Sequence, residues 1–277
     1  MTSKHQAEYR DPEVNRRLVD TIRRTSCREI RLMEVCGTHT VSIFRSGIRS
    51  VLPETITLLS GPGCPVCVTD QHFIDLAISY ANIKNTILLI YGDMLRVPGS
   101  NSSLDHERAK GADIRIIYST IQALEIARDN PSRNIIFAAI GFETTVPGTA
   151  LAIAQAAKEK LRNFFIICAH KTMPQAMSAL IKEGIPINGY IGPGHVSSIA
   201  GSKIFVPLAE EYSIPVVISG FEPVDVLQSV LMLTEMIEEQ RCGVEIQYKR
   251  LVSTEGNIKA QNLINEVFEP CTSQWRG

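Results

Sequence analysis

Along this chain, short runs of apolar and β-branched residues alternate with glycine-, proline- and threonine-rich turns and with stretches whose apolar positions recur at helical spacing. The apolar runs fall at 30–35, 56–60, 86–91, 113–118, 135–140, 164–169, 187–191 and 215–219. They are nearly continuous rather than strictly alternating, which predicts strands covered on both faces. Between them, 69–81 places Phe73, Ile74, Ala77 and Ile78 on one helical face, and 121–128 does the same with Ile121, Leu124 and Ala127. The stretch 149–161 is alanine-rich, and 224–237 aligns Val226, Val230, Leu233 and Ile237. Ser119 stands where a side-chain cap for the helix after it belongs. Strands alternating with helices predict βαβ units and parallel sheets.

The expected class is α/β, with two open parallel-sheet, Rossmann-like domains facing each other across a cleft. The polar, proline-containing segment 127–133 lies near the middle and is read as the crossing point between them. The expected division is a first α/β domain over 1–130, a second over 131–243, and a polar segment 244–277 that returns to the first. In open parallel sheets, ligands bind beyond the carboxyl ends of the strands. The phrases CGTH, GPGCPVC, GFETT, GPGHVS and GFEP all follow directly on predicted strands, so the chemistry of the chain collects at those edges. Gly-Phe-Glu occurs at 141–143 and 220–222, and Gly-Pro-Gly at 61–63 and 192–194. Such repeats arise from strand-to-helix turns that reuse the same glycines, or from two similar half-domains.

Composition narrows the classes. The 277 residues include 44% hydrophobic and 21% charged positions, which excludes a disordered or fibrous chain. Lys and Arg number 28 against 29 Asp and Glu, so charge gives no argument for nucleic acid or an anionic membrane as partner. No apolar run reaches the ~18 residues of a membrane span, and the polar start has no secretory apolar core. Seven cysteines, an odd number without an export signal, point to reduced thiols in a cytoplasmic protein rather than to a disulfide framework. Neither GxxxxGK[ST] nor GxGxxG, GxSxG or HExxH occurs. Thiol redox and thiolate–metal chemistry are the classes left.

Cys64-Pro-Val-Cys67 is a CxxC, a spacing that closes a small disulfide or pinches a metal. A helix starting near Thr69 would favour the thiolate form. Zinc would need two further ligands, and there is no second CxxC. In Cys36-Gly-Thr-His39, the thiolate is a soft ligand suited to iron, copper or zinc. With a helix starting there, His39 lies one turn on, either as an imidazolium that lowers the thiol pKa or as a neutral second ligand. His195 is a further imidazole at a strand end, with a structural role or a ligand role. Glu143 and Glu222 follow Gly-Phe, as helix-terminus acids or as proton carriers near the thiols. His170 and Lys171 follow a strand with no assigned task, and Cys168 is read as core.

Taken together, Met33-Glu-Val-Cys-Gly-Thr-His39, Ser60-Gly-Pro-Gly-Cys-Pro-Val-Cys67, Gly141-Phe-Glu-Thr-Thr145, Gly192-Pro-Gly-His-Val-Ser197, Gly220-Phe-Glu-Pro223 and Trp275-Arg-Gly277 resemble the HypD family of hydrogenase maturation proteins. Each phrase alone is weak; six in the family's order across about 30–277 are specific. The resemblance implies a scaffold on which the iron of [NiFe]-hydrogenase receives cyanide and carbon monoxide as an Fe(CN)2CO unit. It implies a HypC-type small chaperone and a HypE-type cyanide donor as partners. It carries Cys36 over as the iron ligand, beside Gly37 and Thr38. Cys64 and Cys67 follow as a redox pair also described as iron-binding, and Glu143, Thr144, Thr145, His195 and Ser197 as lining residues.

Two departures stand out. Val41 occupies the place of the family's second histidine. The family's [4Fe–4S] domain would follow Trp275-Arg-Gly277, and its ligand segment is not in this sequence. On the residues alone, an iron-free thiol–disulfide oxidoreductase and a docking module without chemistry are the rival classes.

Overall fold

A computed structural model describes residues 8–276. The strands are β1 (Ile30–Glu34), β2 (Ile56–Ser60), β3 (Thr86–Ile90), β4 (Ile114–Ile116), β5 (Asn134–Gly141), β6 (Phe164–His170), β7 (Gly189–Pro193), β8 (Val216–Ser219) and β9 (Val244–Ile246). The α-helices are α1 (Pro12–Thr25), α2 (Gly37–Arg45), α3 (Ile48–Val51), α4 (Gln71–Ala81), α5 (Leu104–Ala109), α6 (Thr120–Asp129), α7 (Val146–Glu159), α8 (Met173–Lys182), α9 (Gly194–Ala200), α10 (Val206–Tyr212), α11 (Pro223–Glu238) and α12 (Ile258–Val267). The α/β class with parallel sheets is as the sequence predicts. Ser119 caps α6, accepting from the Gln122 amide at 3.3 Å.

Two compact units form, and the chain visits each twice. The first takes the residues up to Cys64 together with Thr172–Ile258; the second takes Pro65–Lys171 and the residues from Lys259 on. In the first unit, five strands run in the order β2-β1-β7-β8-β9, all parallel. One face of this sheet packs Leu32, Ile191 and Val217 against Ile22 of α1, Ile43 of α2 and Val226, Val230 and Leu233 of α11. From the other face, the buried Tyr190 reaches the Met177 carbonyl of α8 with its hydroxyl at 3.0 Å. In the second unit, four parallel strands run in the order β4-β3-β5-β6. Ile87, Leu89, Ile135, Phe137 and Ala139 pack there against Ala123 and Ala127 of α6.

The sequence-based division is therefore corrected. No boundary falls at 130: β3 and β5, on either side of it, pair directly through Thr86–Asn134 to Leu89–Phe137. The segment 127–133 is polar for a local reason. It is the turn from α6 into β5, and its carbonyls at Ala127, Asn130 and Arg133 all accept from the Asn163 side-chain amide. The stretch 131–243 is not one domain, because β7 pairs with β1, and β8 with β7, in a sheet that does not contain β5 or β6. The stretch 244–277 is divided too. β9 pairs with β8 in the first unit, whereas the residues from Lys259 on belong to the second. Cys168 is not core: it lies on the edge strand β6 and is exposed.

In the first unit a buried ionic group organises the loop after β8. Asp225, fully buried in the first turn of α11, accepts from the Glu222 amide at 3.1 Å and from the Gln247 side chain at 2.9 Å. It also receives both arms of the Arg250 guanidinium, at 2.7 and 2.5 Å. That guanidinium lies over the rings of Tyr9 and Tyr248, at 4.0 and 4.3 Å from their centroids. A buried carboxylate stripped of its cation costs about 3 kcal/mol or more. Arg250→Met is therefore expected to lower the urea-unfolding free energy by that order, whereas Arg241→Met, which breaks only exposed pairs, changes it little. Equal effects of the two substitutions would contradict this account of the loop.

Candidate functional site

Parallel strands put all their carboxyl ends on one edge, and in the first unit that edge gathers the predicted motifs. β1 runs into Cys36, β2 into the 61–64 turn, β7 into Gly194 and His195, and β8 into Gly220-Phe-Glu222. The chain leaves β1 toward β2 on one side and leaves β7 toward β8 on the other. The crevice between β1 and β7 is thus a topological switch point, where open parallel sheets hold ligands. In the second unit the corresponding point lies between β3 and β5, and Glu143 follows β5 there.

Cys36 is the N-cap residue of α2. The 61–64 turn lies directly on it: the Gly37 amide donates to the Gly63 carbonyl at 3.3 Å, and a Cβ on Gly63 would stand 2.5 Å from the Cys36 nitrogen. Only glycine permits that approach. Beneath the cysteine, Glu34 is buried and accepts from the Cys36 amide at 3.1 Å and from the Thr40 hydroxyl at 2.5 Å. Burial raises the pKa of both groups. For the Cys36 thiol, the backbone amides of Thr38 and His39 and the Thr38 hydroxyl work against burial, while the Glu34 charge adds to it. For Glu34, the donors Thr40 and Cys36 oppose burial.

His39 is fully buried. Its Nε2 sits 2.9 Å from the Gly220 carbonyl, which only accepts, so the proton is on Nε2. Its ring stacks on Phe221 at 4.5 Å, and the exposed His195 stacks on the same ring at 3.9 Å. Burial pulls the His39 pKa down to about 4, with the Gly220 carbonyl opposing. The imidazole is neutral at pH 7, which excludes the reading in which an imidazolium at 39 acidifies the Cys36 thiol. Its Nδ1 is buried and without a hydrogen-bond partner.

The comparisons agree with these motifs. The family model HypD, described as the hydrogenase formation hypA family, matches residues 13–277. The hydrogenase maturation factor HypD of Azotobacter vinelandii is 46% identical, over 99% of this chain and 75% of its own length. That of Escherichia coli K12 is 40% identical, over 98% and 75%. A putative hydrogenase expression/formation protein of Methanocaldococcus jannaschii is 44% identical, over 90% of this chain and 69% of its own. The chain belongs to the HypD family.

The HypD motifs are divided between the two units. Cys36, Gly37, Thr38, His39, Cys64, His195 and Ser197 lie in the first; Cys67, Glu143, Thr144 and Thr145 lie in the second. The unit boundary runs through the CxxC itself. Cys64 is half-buried and Cys67 exposed. The helix after them starts at Gln71 rather than near Thr69, because Val66–Thr69 closes a turn first. Glu143 is not an N-cap; Thr145 holds that position for α7, and Thr144 is exposed. Ser197 is fully buried within α9, its hydroxyl without a partner. Among the described residues, no three His, Cys, Asp or Glu side chains converge as a ready-made metal cage.

Sequence reasoning missed Glu34, Phe221 and the Asp225–Arg250 pair. A lone acid inside the apolar run 30–35 was the available signal for Glu34, and Asp225 three residues after Glu222 was the signal for a capped helix start. Arg250 had none, since it lies in a polar segment far along the chain.

His39 and His170 each resist protonation down to about 4, both mainly through burial. An unfolded chain takes up those protons near 6.5. Between the two values the unfolded state binds more protons, so stability falls as pH falls, by about 1.4 kcal/mol per pH unit for each histidine. Urea unfolding across this window is expected to show a shallower slope for His170→Gln than for the unsubstituted chain. Parallel profiles would contradict the assignment.

Proposed function

We propose that this HypD-family chain serves hydrogenase maturation as a scaffold on which an iron ion acquires cyanide and carbon monoxide as Fe(CN)2CO. The iron is cargo: it arrives, is dressed and leaves. Cys36 supplies the thiolate that holds it, and the observation carrying this reading is its position as the helix-capping residue at the β1/β7 switch point. A thiolate is a soft donor. The α2 amides that face the sulfur stabilise its negative form when iron displaces the proton. One protein thiolate leaves coordination positions for the diatomic ligands and for a thiolate of a HypC-type chaperone, with a HypE-type protein as cyanide donor. Cys64 and Cys67 are the redox pair: opening their disulfide takes two electrons and two protons from an external dithiol, closing it passes them to an external disulfide, and Glu143 and His195 move protons or orient ligands. His39, neutral and fixed by Gly220, keeps the first turn of α2 in place under Cys36.

The exposure of Cys67 in the CxxC turn favours one rival, a thiol–disulfide oxidoreductase that holds no iron. Anaerobic co-purification with a HypC-type partner separates the two. Infrared bands of iron-bound cyanide and carbon monoxide are expected from the unsubstituted chain and are lost in Cys36→Ala. Bands that persist in Cys36→Ala would remove Cys36 as the ligand. Absence of iron from a chain whose CxxC still exchanges with disulfides would favour the oxidoreductase.

A further inference from the structure

The second unit holds two cysteines that the proposed function does not use. Cys168 is exposed on the edge strand β6, and Cys271 is exposed in the segment that follows α12. That segment is pinned along the end of β6 on both sides of Cys271. Before it, Phe268 meets the His170 ring edge-on, with centroids 5.9 Å apart. After it, the buried Lys171 donates its Nζ hydrogens to the Ser273 hydroxyl and, at 2.6 Å, to the Gln274 carbonyl, and stands 5.3 Å from the Trp275 ring centroid. Cys168 precedes His170 by two residues on β6 and so lies on the same side of the strand. Cys271 lies between these two anchors, three residues after Phe268 and two before Ser273.

Burial holds the Cys168 thiol above its ordinary range, with the Cys271 charge adding to the rise and the Lys171 ammonium opposing it. The same segment goes on to the loop carrying Cys67: Trp275 bridges Thr69, and the Arg276 amide donates to the Val68 carbonyl at 2.9 Å.

We propose that Cys168 and Cys271 are a second dithiol, able to close a disulfide that fastens the 268–276 segment, and with it the loop after Cys67, to the end of β6. A small-molecule disulfide of the glutathione class is the oxidant. The Cys271 thiolate attacks the reagent, forming a mixed disulfide and releasing one small thiol. The Cys168 thiolate then attacks the Cys271 sulfur, forming the Cys168–Cys271 bond and releasing the second small thiol. Two electrons pass to the reagent, and the two cysteine protons end on the released thiols.

The test is oxidation of the whole protein with oxidised glutathione, quenching in acid, alkylation and digestion without reductant, read by mass spectrometry. The expected product is one peptide pair joined through Cys168 and Cys271. A thiol held nearby acts at an effective concentration on the order of mM, so the joined pair should exceed the separate glutathione adducts by roughly tenfold when free glutathione is well below that. In Cys168→Ser, Cys271 is expected as its glutathione adduct instead. Recovery of both residues from the unsubstituted chain as separate adducts or as alkylated thiols would overturn the proposal, as would Cys271 joined to Cys64 or Cys67. Lys171→Met, which releases the anchor after Cys271, is expected to lower the joined fraction several-fold; an unchanged fraction would overturn the anchoring that the proposal rests on.

Discussion

The hydrogen bond from His39 Nε2 to the Gly220 carbonyl is the constraint on which the first unit's edge depends. It joins the helix that starts at Cys36 to the loop after β8, two elements 181 residues apart in the chain. Each end is fixed by something deeper. On one side, Asp225 grips the 220–222 loop through the Glu222 amide and is itself neutralised by Arg250. On the other, Glu34 holds the Cys36 amide and the Thr40 hydroxyl. Burial keeps His39 uncharged, so the bond survives at neutral pH without a counter-ion. Phe221, stacked on both His39 and His195, carries the same order across to β7.

Much of this edge is legible in the residues. CGTH, GPGC, GPGH and GFEP all end apolar runs, and a parallel sheet places such phrases side by side without further information. Gly61-Pro-Gly63 follows β2 and Gly192-Pro-Gly194 closes β7, the strands that flank β1, whereas the two Gly-Phe-Glu phrases belong to different sheets. The Gly-Pro-Gly repeat, both copies within one sheet, therefore reports local turn chemistry.

Chain order across the units was not legible, and the reason is physical. A strand's apolar run records that it is covered, not which strand lies beside it. β5 and β6 read like β7 and β8, yet the chain crosses back to the first unit between β6 and β7. β9 is short and half-buried, with a charged residue at its centre, so no apolar run announced it. The polar segment 127–133 mimicked a linker because it is a helix-to-strand turn, whose carbonyls at Ala127, Asn130 and Arg133 are held by the distant Asn163 side chain. Cys168 ended an apolar run and yet is exposed, because β6 is an edge strand.

The most direct test of the central constraint is the tautomer and charge of His39, read from long-range nitrogen–proton NMR correlations of the imidazole at pH 7. The account predicts a neutral ring with its proton on Nε2 and a bare Nδ1. A proton on Nδ1 with Nε2 bare, or a doubly protonated ring at that pH, would contradict it.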